Sequence, residues 1–261
     1  MLTLKNLRNC SVFFPSKRRS LCTALAEKLN PCKLLKIHTV KTLNFVCIYL
    51  DEQKQTEVLQ HPDYFHVHNL FTIKDLFEAR VHYGHMEGSF DERMSPYIYG
   101  SRMGHMIFDL DKTAEYLRSA LNIAAHTAYR DGVILFFLRG AQNSHMVENL
   151  ALECGEFAHT RFWRGGIFTN SSKQFGEITR LPDLCIFFNT LNNILTQHTA
   201  VRDSAKMRIA TIGVVDSNCN PNLITYPIPG NDDSPSAIQF YCNVFKAAIL
   251  RGKEQRKKDM K

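Results

Sequence analysis

Arg161 and Arg164 bracket Phe162-Trp163 and run into Gly165-Gly166, with Thr169-Asn170 following three residues on. Guanidinium groups pair with phosphate bidentately, while exposed glycine N–H groups and short polar side chains bond sugar and phosphate oxygens. This stretch therefore carries the chemistry of an RNA-backbone contact, against the alternative of a solvated loop. A second group is Tyr97-Ile98-Tyr99, followed by Arg102 in a glycine-punctuated turn. Tyr97 and Tyr99 alternate with Ile98, which predicts both rings on one face. Aromatic rings beside Arg or His stack on unpaired bases; packing at a sheet edge is the alternative. His82 and His85, three residues apart, could share a helix face as metal ligands, or serve as packing and hydrogen-bonding groups. Arg251, Lys253, Arg256, Lys257, Lys258 and Lys261 form a basic C-terminal run that could screen phosphates or stay solvated.

Other chemistries lack their signatures. No G-x-G-x-x-G follows a strand and no G-x-x-x-x-G-K-[ST] loop occurs, so the glycines that admit a pyrophosphate are missing. There is no C-x-x-C, no H-E-x-x-H and no G-x-S-x-G elbow. Neither a metal nor a cofactor is expected. Cys47, Cys154, Cys185 and Cys242 sit in apolar stretches and read as small buried hydrophobes. Asp232-Asp233 could be a carboxylate pair for acid–base work, but ahead of Ser234-Pro235 they read as caps of the last helix.

The elements that must position these groups follow from periodicity. Residues 71–79 suit one amphipathic helix. Residues 98–99 and 106–110 are short β-type runs around Gly100 and Gly104. Asp111 is the expected N-cap of a helix over 112–129, burying Ala114, Leu117, Leu121, Ala124, Ala125 and Ala128, and Asp131-Gly132 ends it. Residues 133–138, 184–188 and 209–215 are unbroken apolar runs, as expected of strands covered on both faces. Helices are predicted over 144–157, 194–205 and 236–250, and a structured loop over 218–235, where Pro227 and Pro229 fix φ. Alternation of helices with such strands predicts an α/β fold with a mostly parallel sheet.

The chain has 261 residues and is 44% hydrophobic and 22% charged, which excludes wholesale disorder. No run of eighteen apolar residues exists to span a membrane. Residues 1–50 carry nine Lys/Arg and one acid, residues 246–261 seven and two, and residues 51–245 sixteen against twenty-two. The basic character thus belongs to the ends. A mildly acidic body can form a local basic patch but cannot enclose RNA on every side, so RNA is expected on one limited face and proteins over much of the rest. The first acid is Glu27, after Lys5, Arg8, Lys17, Arg18 and Arg19 with several serines. Residues 1–35 therefore read as a mitochondrial transit peptide, or else a disordered basic arm. Residues 36–70 are expected as an extended leader, 71–252 as one α/β domain, and 253–261 as a basic tail.

Three separated blocks carry a resemblance. The first is Ala79-Arg80-Val81-His82-Tyr83-Gly84-His85 with Tyr97-Ile98-Tyr99-Gly100-Ser101-Arg102-Met103-Gly104-His105. The second is Arg161-Phe162-Trp163-Arg164-Gly165-Gly166-Ile167-Phe168-Thr169-Asn170 with Leu181-Pro182-Asp183. The third is Val215-Asp216-Ser217-Asn218 with Tyr226-Pro227-Ile228-Pro229-Gly230-Asn231-Asp232-Asp233. In this order they resemble the ribosomal protein S2 family of the small subunit, over about residues 72–252. The stretch 181–234 most resembles the animal mitochondrial members.

The resemblance implies a flavodoxin-like parallel five-stranded sheet flanked by helices and no catalysis. It implies partners in small-subunit mitochondrial rRNA and neighbouring ribosomal proteins, at the head–body junction near the mRNA exit region, in the mitochondrial matrix with no membrane. It adds His82, His85, Arg93 and Lys112 to the RNA-binding candidates Tyr97, Tyr99, Arg102, Arg161, Arg164, Gly165, Gly166, Thr169 and Asn170. Bacterial members insert a long helical hairpin where this chain has only ten residues between Asn170 and Leu181, so the hairpin is absent here. Where bacterial members have Gly-Thr-Lys, this chain has Leu138-Arg139-Gly140, and Phe162 and Arg164 depart from the bacterial Arg-Trp-Leu-Gly-Gly. Two other readings stay open: an α/β enzyme acting on a nucleotide or phosphorylated substrate through Asp216 or Asp232, and a free RNA-binding regulator.

Overall fold

The computed structural model describes residues 58–176, 179–192 and 196–259. The transit segment expected over 1–35 and Cys47 lie outside them, as does most of the expected leader. The chain forms two units, Met1–Pro62 and Asp63–Lys261; the second holds every element named below. In chain order it runs α1 (Ile73–Glu78), β1 (Tyr83–Met86), β2 (Ile98–Arg102), β3 (His105–Phe108), α2 (Leu110–Tyr129), β4 (Ile134–Phe137), α3 (Ser144–Cys154), β5 (Phe157–His159), α4 (Ser171–Phe175), β6 (Leu184–Phe187), α5 (Thr199–Lys206), β7 (Ala210–Val215), β8 (Tyr226–Pro229) and α6 (Pro235–Asp259).

β5-β4-β6-β7-β8 is a five-stranded sheet with every neighbouring pair parallel. The apolar runs β4, β6 and β7 are its centre, as their composition requires. Phe136 and Phe137 show how both faces are filled. Phe136 stacks near Phe188, which meets Phe245 of α6 edge-on, whereas Phe137 stacks on Phe187 at 4.5 Å and meets Trp163 and Phe168 edge-on. Two cores thus lie on opposite faces of one sheet, and α2 packs along α6 in the first.

Two strands of this sheet were not legible as such, and neither was β1. β5 begins at Phe157, the last residue of the helix expected over 144–157, and runs to His159. Gly155, in the left-handed region at φ 66°, ends α3 there, and Phe157 pairs with Leu135. β8 falls in the expected loop. Its Tyr-Pro-Ile-Pro sequence is tolerated because β8 is the edge of the sheet, where a proline needs no N–H toward a further strand. The Asp232-Asp233 pair does not cap α6. Asn231 Oδ1 accepts the N–H groups of Asp233 and Ser234 instead. Helix α2 begins at Leu110, two residues before the expected start, because Asp109 caps it by accepting the N–H of Asp111; its predicted stripe is buried throughout.

Separately, β1, β3 and β2 make a small antiparallel sheet in that spatial order. Met103 (φ 53°) and Gly104 (φ 73°) form the two-residue turn joining Arg102 to its partner His105. Positive φ at both central residues matches the twist of a tight hairpin.

Both ends of this unit are packed. Residues 63–70 turn rather than extend: Asp63 Oδ1 accepts the Val67 N–H at 2.6 Å, and Phe65 lies edge-on to His126 of α2. The expected basic tail continues α6. Lys253 pairs with Glu156 and donates to the Cys154 carbonyl, and Arg256 pairs with Asp131 at 2.5 Å. Among the described residues no helix is long and apolar enough to cross a membrane.

At Gly252 α6 lies against α2, since a Cβ there would collide with the Ala125 carbonyl oxygen. Gly252→Ala is expected to destabilise the full chain by about 1–3 kcal/mol in urea unfolding, the range for overpacking a filled core. Gly88→Ala, with open space around its Cβ position, is expected to change stability by less than about 0.5 kcal/mol.

Candidate nucleic-acid interface

The loop from β5 to α4 is pinned by its apolar residues. Trp163 is buried, donates from Nε1 to the buried Asp203 carboxylate at 3.1 Å, and meets Phe137, His159 and Phe168 edge-on. Phe168 is buried beside it. With these two rings inward, Arg161, Phe162, Arg164, Gly165, Thr169 and Asn170 are exposed. Gly166 adopts φ 90°, and its carbonyl accepts the Asn170 N–H at 2.8 Å, which closes the turn. Neither Arg161 nor Arg164 forms an ion pair among the described residues. The loop presents two exposed guanidinium groups on a backbone already fixed by packing, so phosphate contact orders side chains but not the loop.

The antiparallel sheet divides its candidates. Tyr99 is 84% exposed, and Arg93 and Arg102 are exposed and without an ion pair among the described residues. Tyr97 ends a 3-10 turn (Glu92–Tyr97) and packs edge-on against Tyr116 of α2, 5.3 Å between centroids. The two rings therefore do not share a face: strand alternation begins only after Tyr97, and a register irregularity separates Ile98 from Gly100. Lys112 donates to the Pro96 carbonyl at 2.7 Å and pairs with Asp109 at 3.4 Å, tying α2 to this sheet. The hairpin turn adds Met103, 90% exposed, which the sequence reading did not include. Its signal was the Met103-Gly104 pair between two β-type runs.

The two histidines do not share a helix face. His82 precedes β1, is buried, and is stacked on Phe77 at 4.5 Å; burial lowers its pKa. His85 lies in β1, with Nδ1 3.1 Å from Asp216 Oδ2 and Nε2 3.2 Å from Asp233 Oδ2. A neutral imidazole has one N–H and would turn a lone pair toward one of these carboxylates. Hydrogen bonds to Asp216 and Asp233 raise the His85 pKa to about 10, so the imidazolium donates to both. The hydrogen bond from His85 holds Asp233 below the usual carboxylate range. Asp232, fully buried beside Asp216 and Asp233, is pushed well above it.

The same point is fixed through the backbone. The His85 N–H donates to Ser217 Oγ at 2.9 Å and the Asp91 N–H to the Ser217 carbonyl at 2.9 Å. Asn231 receives the segment before β1, donating from its N–H to the Val81 carbonyl at 3.1 Å and from Nδ2 to the Arg80 carbonyl at 3.2 Å. His85 is thus a joint between the two sheets. Among the described residues no group of three His, Cys, Asp or Glu is arranged to hold a metal ion. Cys154, Cys185, Cys219 and Cys242 are buried free thiols, each pushed up by burial.

Comparison with known proteins adds to this geometry. The family model described as Ribosomal protein S2 matches residues 76–189 and 172–252. Small ribosomal subunit protein uS2m of Bos taurus is 54% identical over 202 residues, 77% of this chain and 69% of that protein. Small ribosomal subunit protein uS2 of Rickettsia bellii (strain OSU 85-389) is 32% identical over 227 residues, covering 70% of this chain and 77% of that protein. The Rickettsia typhi protein of the same name is 31% identical over 223 residues, covering 70% and 76%.

The joint sets a pH dependence. A raised His85 pKa contributes stability that is complete below the unfolded value near 6.5 and is lost as pH rises toward 10. Asp232, raised, loses its contribution in the same direction, whereas Asp233, lowered, loses its own only as pH falls through the acid range. The urea midpoint of the full chain is expected to fall between pH 6.5 and 10, and His85→Asn to remove most of that slope. A slope unchanged in His85→Asn would contradict the assignment.

Proposed function

Because the chain belongs to the ribosomal protein S2 family, we propose that it is a structural constituent of the mitochondrial small ribosomal subunit, serving translation without turnover of its own. It binds the subunit's rRNA through the 161–170 loop and through Arg93, Tyr99 and Arg102, and neighbouring ribosomal proteins over much of its remaining surface. The observation that carries this reading is the pair of exposed guanidiniums at 161 and 164, without an ion pair among the described residues and flanking the buried Trp163. Phosphate contacts of this kind fix register on RNA without reading sequence.

The proposed position is the head–body junction, on the side of mRNA exit. Residues 1–35 direct import into the matrix and are removed there. The reading through Asp216 or Asp232 as catalytic groups is disfavoured by their engagement: Asp216 is 1% exposed and faces His85, and Asp232 is buried. A free regulator would need affinity for RNA outside the particle, and nothing in the geometry favours it over the ribosomal reading.

Sucrose-gradient sedimentation of mitochondrial lysate tests the reading. The chain is expected to travel with the small subunit and to move to light fractions after ribonuclease; a chain light in both gradients would refute it. Arg161→Ala with Arg164→Ala is expected to weaken retention on the subunit at raised salt and to lower the salt slope of binding by about one per lost phosphate contact, while the urea midpoint stays unchanged. Full retention of the double variant would remove the 161–170 loop from the interface.

A further inference from the structure

A cavity of about 370 Å³ opens beyond the C-terminal ends of β4, β6 and β7. Here the strand order reverses: the chain leaves β4 for β5 on one side, and β6 leads to β7 and β8 on the other. Crevices at such reversals are where parallel sheets receive ligands, between loops that diverge to opposite faces. Arg139 and Gly140 line it after β4, Asn189 and Asn192 after β6, Asn218 after β7, and Asp233 from the turn before α6.

The polarity of this wall is uneven. Arg139 is exposed and has no ion pair among the described residues. Deeper, Asn189 Nδ2 donates to the Asp232 carbonyl at 3.0 Å, and its buried Oδ1 has no hydrogen-bond partner. Asp233, whose side chain is 71% exposed, keeps acceptor capacity beyond its bond to His85. A phosphate placed inside would meet acceptors and a carboxylate. A group bearing N–H donors would satisfy them, and an unmet buried acceptor is costly. The cavity therefore asks for donors within and an anion at the rim.

Resting on the ribosomal reading above, we propose that this cavity receives one unpaired nucleotide of the small-subunit rRNA, its amine-bearing base edge on Asn189 and Asp233 and its phosphate on Arg139. Sequence-specific RNA contacts are made to such splayed-out bases through hydrogen bonds at their edges.

The test uses mitochondrial small subunits from cells whose only copy of the chain is wild type, Arg139→Ala or Asn189→Leu. Their rRNA is probed with dimethyl sulfate for adenine and cytosine and with kethoxal for guanine. One base is expected to be protected in the wild-type subunit and to gain reactivity several-fold in both variants, with the remaining profile unchanged. Assembled variants with an unaltered profile would overturn the proposal. Should a variant fail to assemble, a cryo-EM map of the wild-type subunit decides. Base density continuous with the rRNA backbone supports the proposal; a neighbouring protein's side chain, a free mononucleotide released on heating, or solvent alone refutes it. Each refuting result comes from a chain present in the subunit, so it leaves the ribosomal reading standing; a chain absent from the subunit removes that reading instead.

Discussion

The protonated His85 between Asp216 and Asp233 is the interaction on which the arrangement of this domain depends. Asp216 and Ser217 follow the inner strand β7, Asp233 stands at the entrance to α6, and His85 belongs to the antiparallel sheet. One imidazolium thus ties three chain segments that share no secondary structure. Of the two carboxylates only Asp216 is buried, and removing the imidazolium would leave it without compensation, which costs far more than the pair contributes over an apolar replacement. The neighbouring backbone bonds from His85 and Asp91 to Ser217 fix the same docking in neutral groups. Gly84 fits this approach, since a Cβ there would press to 3.1 Å from both Ser217 Oγ and the Met106 carbonyl.

The consequence is that two exposed cationic surfaces are mounted on one rigid frame. The 161–170 loop hangs from the second core by Trp163 and Phe168, and that core also contains Met94 and Phe108 beside the antiparallel sheet. Arg93, Tyr99 and Arg102 are therefore positioned through the same apolar cluster as Arg161 and Arg164. By contrast, the tail that looked most like a phosphate sleeve is partly committed within the protein: Arg251 donates to the His66 carbonyl, Lys253 to the α3 end, and Arg256 to Asp131. Charge density in the sequence thus does not show which cations are committed within the fold.

Much of the frame was legible because it is local. The α2 stripe obeys the helical period, and β4, β6 and β7 are apolar without a break because both faces are covered. What escaped was set by distant partners. β5 continues the apolar rhythm of α3, and only Gly155 marks the boundary. β8 carries two prolines that argue against a strand until its place at the edge is known. Among the candidate residues, the loop arginines were singled out by type and spacing, and they are exposed. The role of His85 was not legible, because its carboxylate partners lie 131 and 148 positions away in the chain, and Lys112 and Tyr97 are engaged by Pro96 and Tyr116 rather than free.

The central claim is that RNA meets this protein over a limited face whose cations have no internal partners. Ultraviolet cross-linking of intact mitochondrial small subunits, with mass-spectrometric mapping of the linked peptides, measures this directly. On this claim, RNA links are expected at 161–170 and 93–103, with the exposed surface of α2 left unlinked. Cross-links spread evenly over the domain, or confined to α2 and α6, would contradict it.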